Sequence, residues 1–74
     1  MLYMNAEEPV YVQLCRHLRA EIESGKIKPG EMLRSERRLA AEYGINRKTA
    51  RMALKELQNQ GYISIEPKIG AMVL

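Results

Sequence analysis

With 74 residues, 46% of them hydrophobic and 28% charged, the chain suffices for one small globular domain and is too apolar to be a disordered segment. Its single Cys excludes an internal disulfide, which fits a reducing cytosol. No apolar run nears the roughly 18 residues of a membrane span, and the opening MLYMNAEEP lacks the basic-then-apolar order of a secretion signal. The net charge of +3 is unevenly placed: residues 34–55 hold seven cations and two anions, while the remainder is slightly acidic.

Residues 1–8 read as a flexible N-terminal arm, and 9–74 as the folded domain. Pro9 suits the first turn of a helix, where a missing N–H costs nothing. Val10, Leu14, Leu18 and Ile22 then recur every fourth residue, which predicts an amphipathic helix over about 10–24, stopped by Gly25. The stretch KIKPGEML carries the Pro-Gly pair of a turn, with Ile27 and Leu33 tucking inward. Ser35 can accept from the free N–H groups of a second, short helix, and Glu36 favours that helix's positive end. This helix turns Leu39, Ala40 and Tyr43 inward and ends at Gly44.

Only Ile45 separates Gly44 from Asn46, a good N-cap for a third helix over about 47–60, closed by Gly61. Two helices joined so tightly cannot lie antiparallel side by side. The arrangement is a helix-turn-helix, whose second member enters the major groove of DNA. On the third helix Arg47, Gln58, Arg51, Lys55 and Lys48 fall between about 0° and 100°, whereas Ala53, Leu57, Ala50 and Leu54 fall between about 240° and 340°. A cationic arc and an apolar arc thus share one helix without overlapping. This fits an acidic partner, although a basic run can also be a solvated face. After Gly61 the period becomes two: Tyr62 to Glu66, a turn at Pro67-Lys68-Ile69-Gly70, and a second short strand from Ala71 to Leu74. The fold class is therefore α+β: three helices followed by a hairpin wing, the order of a winged helix-turn-helix.

The residues go further. The opening Pro9-x-Tyr11-x-Gln13, the run Gly25 through Pro29-Gly30, Leu33-x-Ser35-Glu36-x-x-Leu39-Ala40, and Asn46-Arg47-x-Thr49-x-Arg51-x-Ala53-Leu54-x-x-Leu57 before Gly61 resemble the DNA-binding domain of GntR-family bacterial transcription regulators. The opening is similar to the HutC and YtrA branches, and the likeness spans residues 9–73. The resemblance implies DNA contact by Arg37 on the second helix and by Arg47 and Arg51 on the third. It implies phosphate or base contact by Asn46 and Thr49, and a wing-tip Gly70 that lets backbone approach the minor groove. Chemistry agrees, since Arg can bond both O6 and N7 of guanine, and Ser35 and Asn46 sit at helix starts where a phosphate is favoured.

The chain also departs from the family pattern. Arg34 stands where Pro is usual and brings a cation near the DNA backbone path. Lys48 replaces the usual Thr, which suits a phosphate. The wing reads Lys68-Ile69-Gly70, without the first Gly, and Lys68 can meet phosphate. No nucleophile elbow, phosphate-cradling Gly loop or HExxH motif appears, so the reading is of no enzyme activity, no cofactor and no small-molecule site within this chain. The resemblance implies a cytoplasmic bacterial regulator, a repressor, acting on double-stranded DNA. So small a reading surface suits two copies on a palindromic operator, a homodimer at least on DNA, formed there or through the first helix and the arm.

The family normally continues into an effector-binding domain. The chain reads either as a short regulator or as the leading part of a longer one, and a winged helix used for protein–protein contact is the other reading. Cys15 and His17 have no partners for a metal site; Cys15 reads as a core or subunit-contact residue and His17 as a surface one. Met32, Met52 and Met72 read as filling or flanking the core.

Overall fold

The computed structural model describes residues 2–4 and 7–74. In chain order these form α1 (Val10–Glu23), α2 (Glu36–Tyr43), α3 (Arg47–Asn59), β1 (Ile63–Glu66) and β2 (Gly70–Val73). The winged helix-turn-helix is the observed fold, and each helix ends within one residue of its sequence boundary.

Local chemistry fixes those boundaries. Ser35 caps α2 by accepting the Arg38 N–H at 3.2 Å, and Asn46 caps α3 by accepting that of Thr49 at 2.8 Å. Gly44 ends α2 in the left-handed region at φ +67°, where a side chain would be strained. The Gly44 and Ile45 N–H groups both return to the Ala40 carbonyl, so the chain reverses within three residues and α3 starts at once.

The apolar arc of α3 forms the centre of the core. Ala50, Ala53 and Leu57 are fully buried against Leu14 and Leu18 of α1, Leu39 of α2, and Ile63 and Val73 of the hairpin. α3 packs on α1, α2 and β1, so its apolar half is fully used and its cationic half faces out.

The hairpin pairs Ile63 with Val73, Ser64 with Met72, Ile65 with Ala71 and Glu66 with Gly70. Parity sends Ile63, Ala71 and Val73 inward and Met72 outward. The segment expected to be only a turn also joins the sheet. Met32 bridges Met72, Gly30 and Leu33 donate to the Val73 and Ala71 carbonyls, and Val73 donates back to Glu31. β2 is therefore flanked on both sides.

Three other expectations change. Met32, Met52 and Met72 do not fill the core; they are 45%, 41% and 36% exposed, because Leu, Ile, Val and Ala already close it. His17 is half-buried rather than a plain surface residue, its ring edge-on to Tyr43 at 6.1 Å. The arm expected to be loose is tied to α1 through Leu2, Tyr3 and Glu8, while Met1, Asn5 and Ala6 lie outside the described residues.

The tie is Gln13, whose side chain is buried. Its Oε1 accepts the Tyr3 N–H at 2.7 Å, and its Nε2 donates to the carbonyls of Tyr3 and Glu8 at 2.8 and 2.9 Å. A buried amide left unpaired would be costly, so Gln13 requires this chain path as much as it stabilises it. Arg16 adds an ion pair to Glu8. Cys15 lies in the core, where burial pushes its thiol pKa up.

Candidate nucleic-acid interface

The start of α2, the outer face of α3 and the wing enclose an open groove of about 570 Å³. Arg34, Ser35, Glu36 and Arg37 line one side, residues 65–71 line the other, and Arg47 and Leu54 lie between them. Eight of the ten residues singled out above border this groove or the exposed arc beside it: Ser35, Arg37, Asn46, Arg47, Lys48, Arg51, Lys68 and Gly70 are all exposed. Thr49 is half-buried, its N–H taken by the Asn46 cap. That cap leaves the N–H groups of Arg47 and Lys48 with no protein acceptor among the described residues. They sit at the positive end of the α3 dipole, which favours an anion there.

Arg34 behaves differently. Its atoms border the groove, but its guanidinium is bonded to Glu21 of α1 and, at 2.8 Å, to Glu42 of α2. The side chain is only 20% exposed. Its charge is committed to bracing two helices, so it is not the free cation near the groove that its sequence position suggested.

Glu36, placed by its sequence position as a helix-dipole partner, also joins two arginines of α3. Glu36 accepts from Arg51 through two bonds, Nε to Oε2 at 3.0 Å and Nη2 to Oε1 at 3.2 Å, and its Oε1 lies 3.6 Å from Arg47 Nη2. The Arg51 bond holds the Glu36 carboxyl below its usual pKa, and the carboxylate raises that of Arg51. One carboxylate thus aligns two guanidinium groups that stand four residues apart, one turn of α3. The signal was present in sequence as an acid opening α2 and Arg at two positions one turn apart on α3. Only the tight turn at Gly44 brings them together.

The wing tip has its own geometry. The Ile69 N–H bonds to the Glu66 carbonyl at 3.1 Å, closing a turn with Pro67 and Lys68 at its centre. Lys68 has φ +69°, a conformation ordinarily taken by Gly or Asn, and it is the position where the first wing Gly is missing. Gly70 follows at φ +124°, and a Cβ there would meet the Met32 Cε at 3.0 Å. The wing thus depends on Gly at 70 and tolerates strain at 68.

Comparison with known proteins agrees with this geometry. The family described as "Bacterial regulatory proteins, gntR family" matches residues 10–73. The repressor NagR of Bacillus subtilis is 40% identical over 55 residues, covering 74% of this chain and 23% of its own length. The Escherichia coli repressor MngR of the mannosyl-D-glycerate transport/metabolism system is 40% identical over 53 residues, covering 72% and 22%. The chain thus spans less than a quarter of these curated relatives. Among solved structures, YtrA from Sulfolobus acidocaldarius, a GntR-family transcription factor, superposes with a TM-score of 0.90 at 30% identity, covering 99% of this chain and 77% of that one. The AraR DNA-binding domain in complex with operator ORX1 gives 0.87 at 30% identity, covering 90% and 81%. The family match over nearly the whole chain, carried by the capped helix pair and the wing described above, assigns this protein to the GntR family of bacterial regulatory proteins.

Proposed function

We propose that this domain binds double-stranded DNA sequence-specifically as the reading module of a transcription regulator, and that the regulator is a repressor. The observation that carries this is the exposed face of α3, where Arg47, Lys48, Arg51 and Lys55 follow a tight turn and a capped N-terminus. The similar AraR domain is bound to operator DNA, and NagR and MngR are repressors, which supports both parts of the reading.

In this reading α3 lies in the major groove, with Arg47 and Arg51 on base edges. Lys48, Asn46 and Thr49 meet or position phosphate, helped by the open N–H groups at the start of α3. Ser35 and Arg37 steady the DNA backbone from α2, and Lys68 and Gly70 carry the wing toward the minor groove. Arg34 acts as a brace for α2. Glu36 keeps the two Arg forks aligned until base edges replace part of its bonding. The role needs neither catalysis nor a cofactor, and it is exercised in the bacterial cytoplasm, where the DNA lies.

One such module offers limited surface, so two copies on a palindromic operator supply the specificity. Selection from randomised duplex DNA, followed by affinity against salt, tests the proposal. A palindromic motif and a steep fall of affinity with salt are expected, with Arg47→Ala and Arg51→Ala each relaxing preference at one base pair. Binding without any enriched motif would refute sequence-specific reading by this chain. Sedimentation of the chain with a selected duplex should give two protein copies per duplex, and one copy would refute the paired arrangement.

A further inference from the structure

One member of the outward arc of α3 is not a cation. Gln58 is exposed, and its Oε1 accepts the backbone N–H of Ile65 at 2.6 Å. Among the described residues this is the one side-chain hydrogen bond between α3 and the wing. The geometry of the sheet explains why the donor is available. Leu74 donates to the Tyr62 carbonyl, so the even residues of β1 turn their backbone groups toward β2 and the odd residues turn theirs outward. Ile65 is odd, and its N–H lies on the free edge. Two residues later the chain enters the turn that holds Pro67 and Lys68. Beyond Ile65 the wing projects without backing from α3, and residues 66–70 are all exposed.

Resting on the DNA-binding reading above, we propose that Gln58 is a positioning residue that sets the angle of the wing against the recognition helix. It thereby fixes how the wing's contact registers with the bases read by Arg47 and Arg51. The wing has a second support on its other edge, where the segment 30–33 pairs with β2 and the Met32 methyl lies under Gly70. The two supports act from opposite sides; Ile63 and Val73 anchor the base of the wing in the core beside α3, and Gln58 adds the one side-chain hydrogen bond, among the described residues, that ties the wing further out to the helix that reads the bases. The strand rises roughly 3.3 Å per residue, so the turn at Pro67 and Lys68 stands several ångströms beyond Ile65 and a tilt of a few degrees at the support displaces the tip by a few tenths of an ångström. A loose wing would still find phosphate by charge, but without a fixed register.

Gln58→Met keeps the length of the side chain and removes the acceptor. In the free 74-residue chain, amide exchange at Ile65 should accelerate about fivefold, the loss expected of one net hydrogen bond, with helix amides unchanged. Gln58→Glu, which keeps an acceptor, should restore the protection. On a duplex selected by the wild type, Lys68→Ala should weaken binding about three- to tenfold through a lost phosphate contact. In the Gln58→Met background the same change should cost less than about twofold, the non-additivity of coupled sites. Hydroxyl-radical protection should fade under the wing and persist under α3.

Unchanged Ile65 exchange in Gln58→Met, or a Lys68→Ala effect of equal size in both backgrounds, would overturn the positioning role while leaving DNA reading intact. A loss of preference at a single base pair would overturn it too, making Gln58 a base reader. If the wild type retains no duplex, the DNA reading falls and this proposal falls with it, whatever the exchange data show.

Discussion

Two clusters of the same chemistry lie on neighbouring parts of this small domain and behave as opposites. In one, Arg34 sits between Glu21 and Glu42, its side chain 20% exposed, tying α1 to α2. In the other, Glu36 sits between Arg47 and Arg51, whose side chains are 55% and 50% exposed. The first has a cation at its centre and acids outside; the second has an acid at its centre and cations outside. Shielded from water, a single Arg serving two acids becomes part of the scaffold. Exposed pairs of this kind contribute little to stability and can be exchanged for a better partner. The difference therefore separates charges that shape the domain from charges that remain available to a ligand.

Several experiments would break or sharpen that contrast. The largest expected effect is on the exposed cluster: Arg51→Ala should lower affinity for a selected duplex by roughly 5- to 150-fold, the range of one lost bidentate base contact. Its thermal midpoint should stay close to that of the wild type. Equal losses on every sequence in a binding titration would reduce Arg51 to a phosphate contact. Next comes Arg34→Met, which leaves the half-buried Glu21 carboxylate only the exposed Lys26, 3.5 Å away, and should cost about 1–2 kcal/mol in urea unfolding. Its DNA affinity should change less than that of Arg51→Ala, and the reverse ranking would erase the distinction between the clusters.

Glu36→Gln should remove less than about 1 kcal/mol of stability, since its partners are solvated and salt-screened. It should raise affinity for random-sequence DNA several-fold while narrowing the gap between specific and random sites, as seen in competition titrations. The pH dependence has a definite sign. Arg51 depresses the folded-state pKa of Glu36, so its small stabilisation is present above the unfolded carboxyl value and is lost as pH falls through the lower folded one. Urea titrations of wild type and Glu36→Gln should therefore converge under acid. The smallest effect belongs to the wing: Lys68→Gly relieves the strain of φ +69° and should raise stability by under about 1 kcal/mol, while weakening binding to the duplex.

Much of this was legible in the chain itself, because local chemistry and periodicity agreed. Ser35, Gly44 and Asn46 mark the helix ends by capping rules that act within four residues, and the two arcs of α3 follow from its period alone. What the chain does not reveal depends on distant pairing. Residues 30–33 follow a Pro29-Gly30 turn signal, and their pairing with β2 could not be seen without knowing that β2 lies beside them. The pairing of Glu36 with Arg51 spans fifteen positions, and the clasp of Gln13 on Tyr3 spans ten. Gln13 stood out only as part of a resemblance, and its burial supplies the physical reason. Arg34 belongs with these: its place beside a basic segment points toward DNA, and only the fold shows the two acids that also hold it. Of the two places the sequence allows the methionines, inside the core or beside it, a core closed by leucine and alanine leaves them only the second.

The flanking of β2 also bears on how the protein behaves when crowded. A two-stranded hairpin alone offers two open backbone edges on which a neighbouring chain could build. Here the segment 30–33 occupies the outer edge of β2, and on the free edge of β1, only four residues long, the Ile65 donor is already bound to Gln58. Little ladder remains to template chain-to-chain assembly, so molecules brought close at high concentration meet no long open β-edge among the described residues.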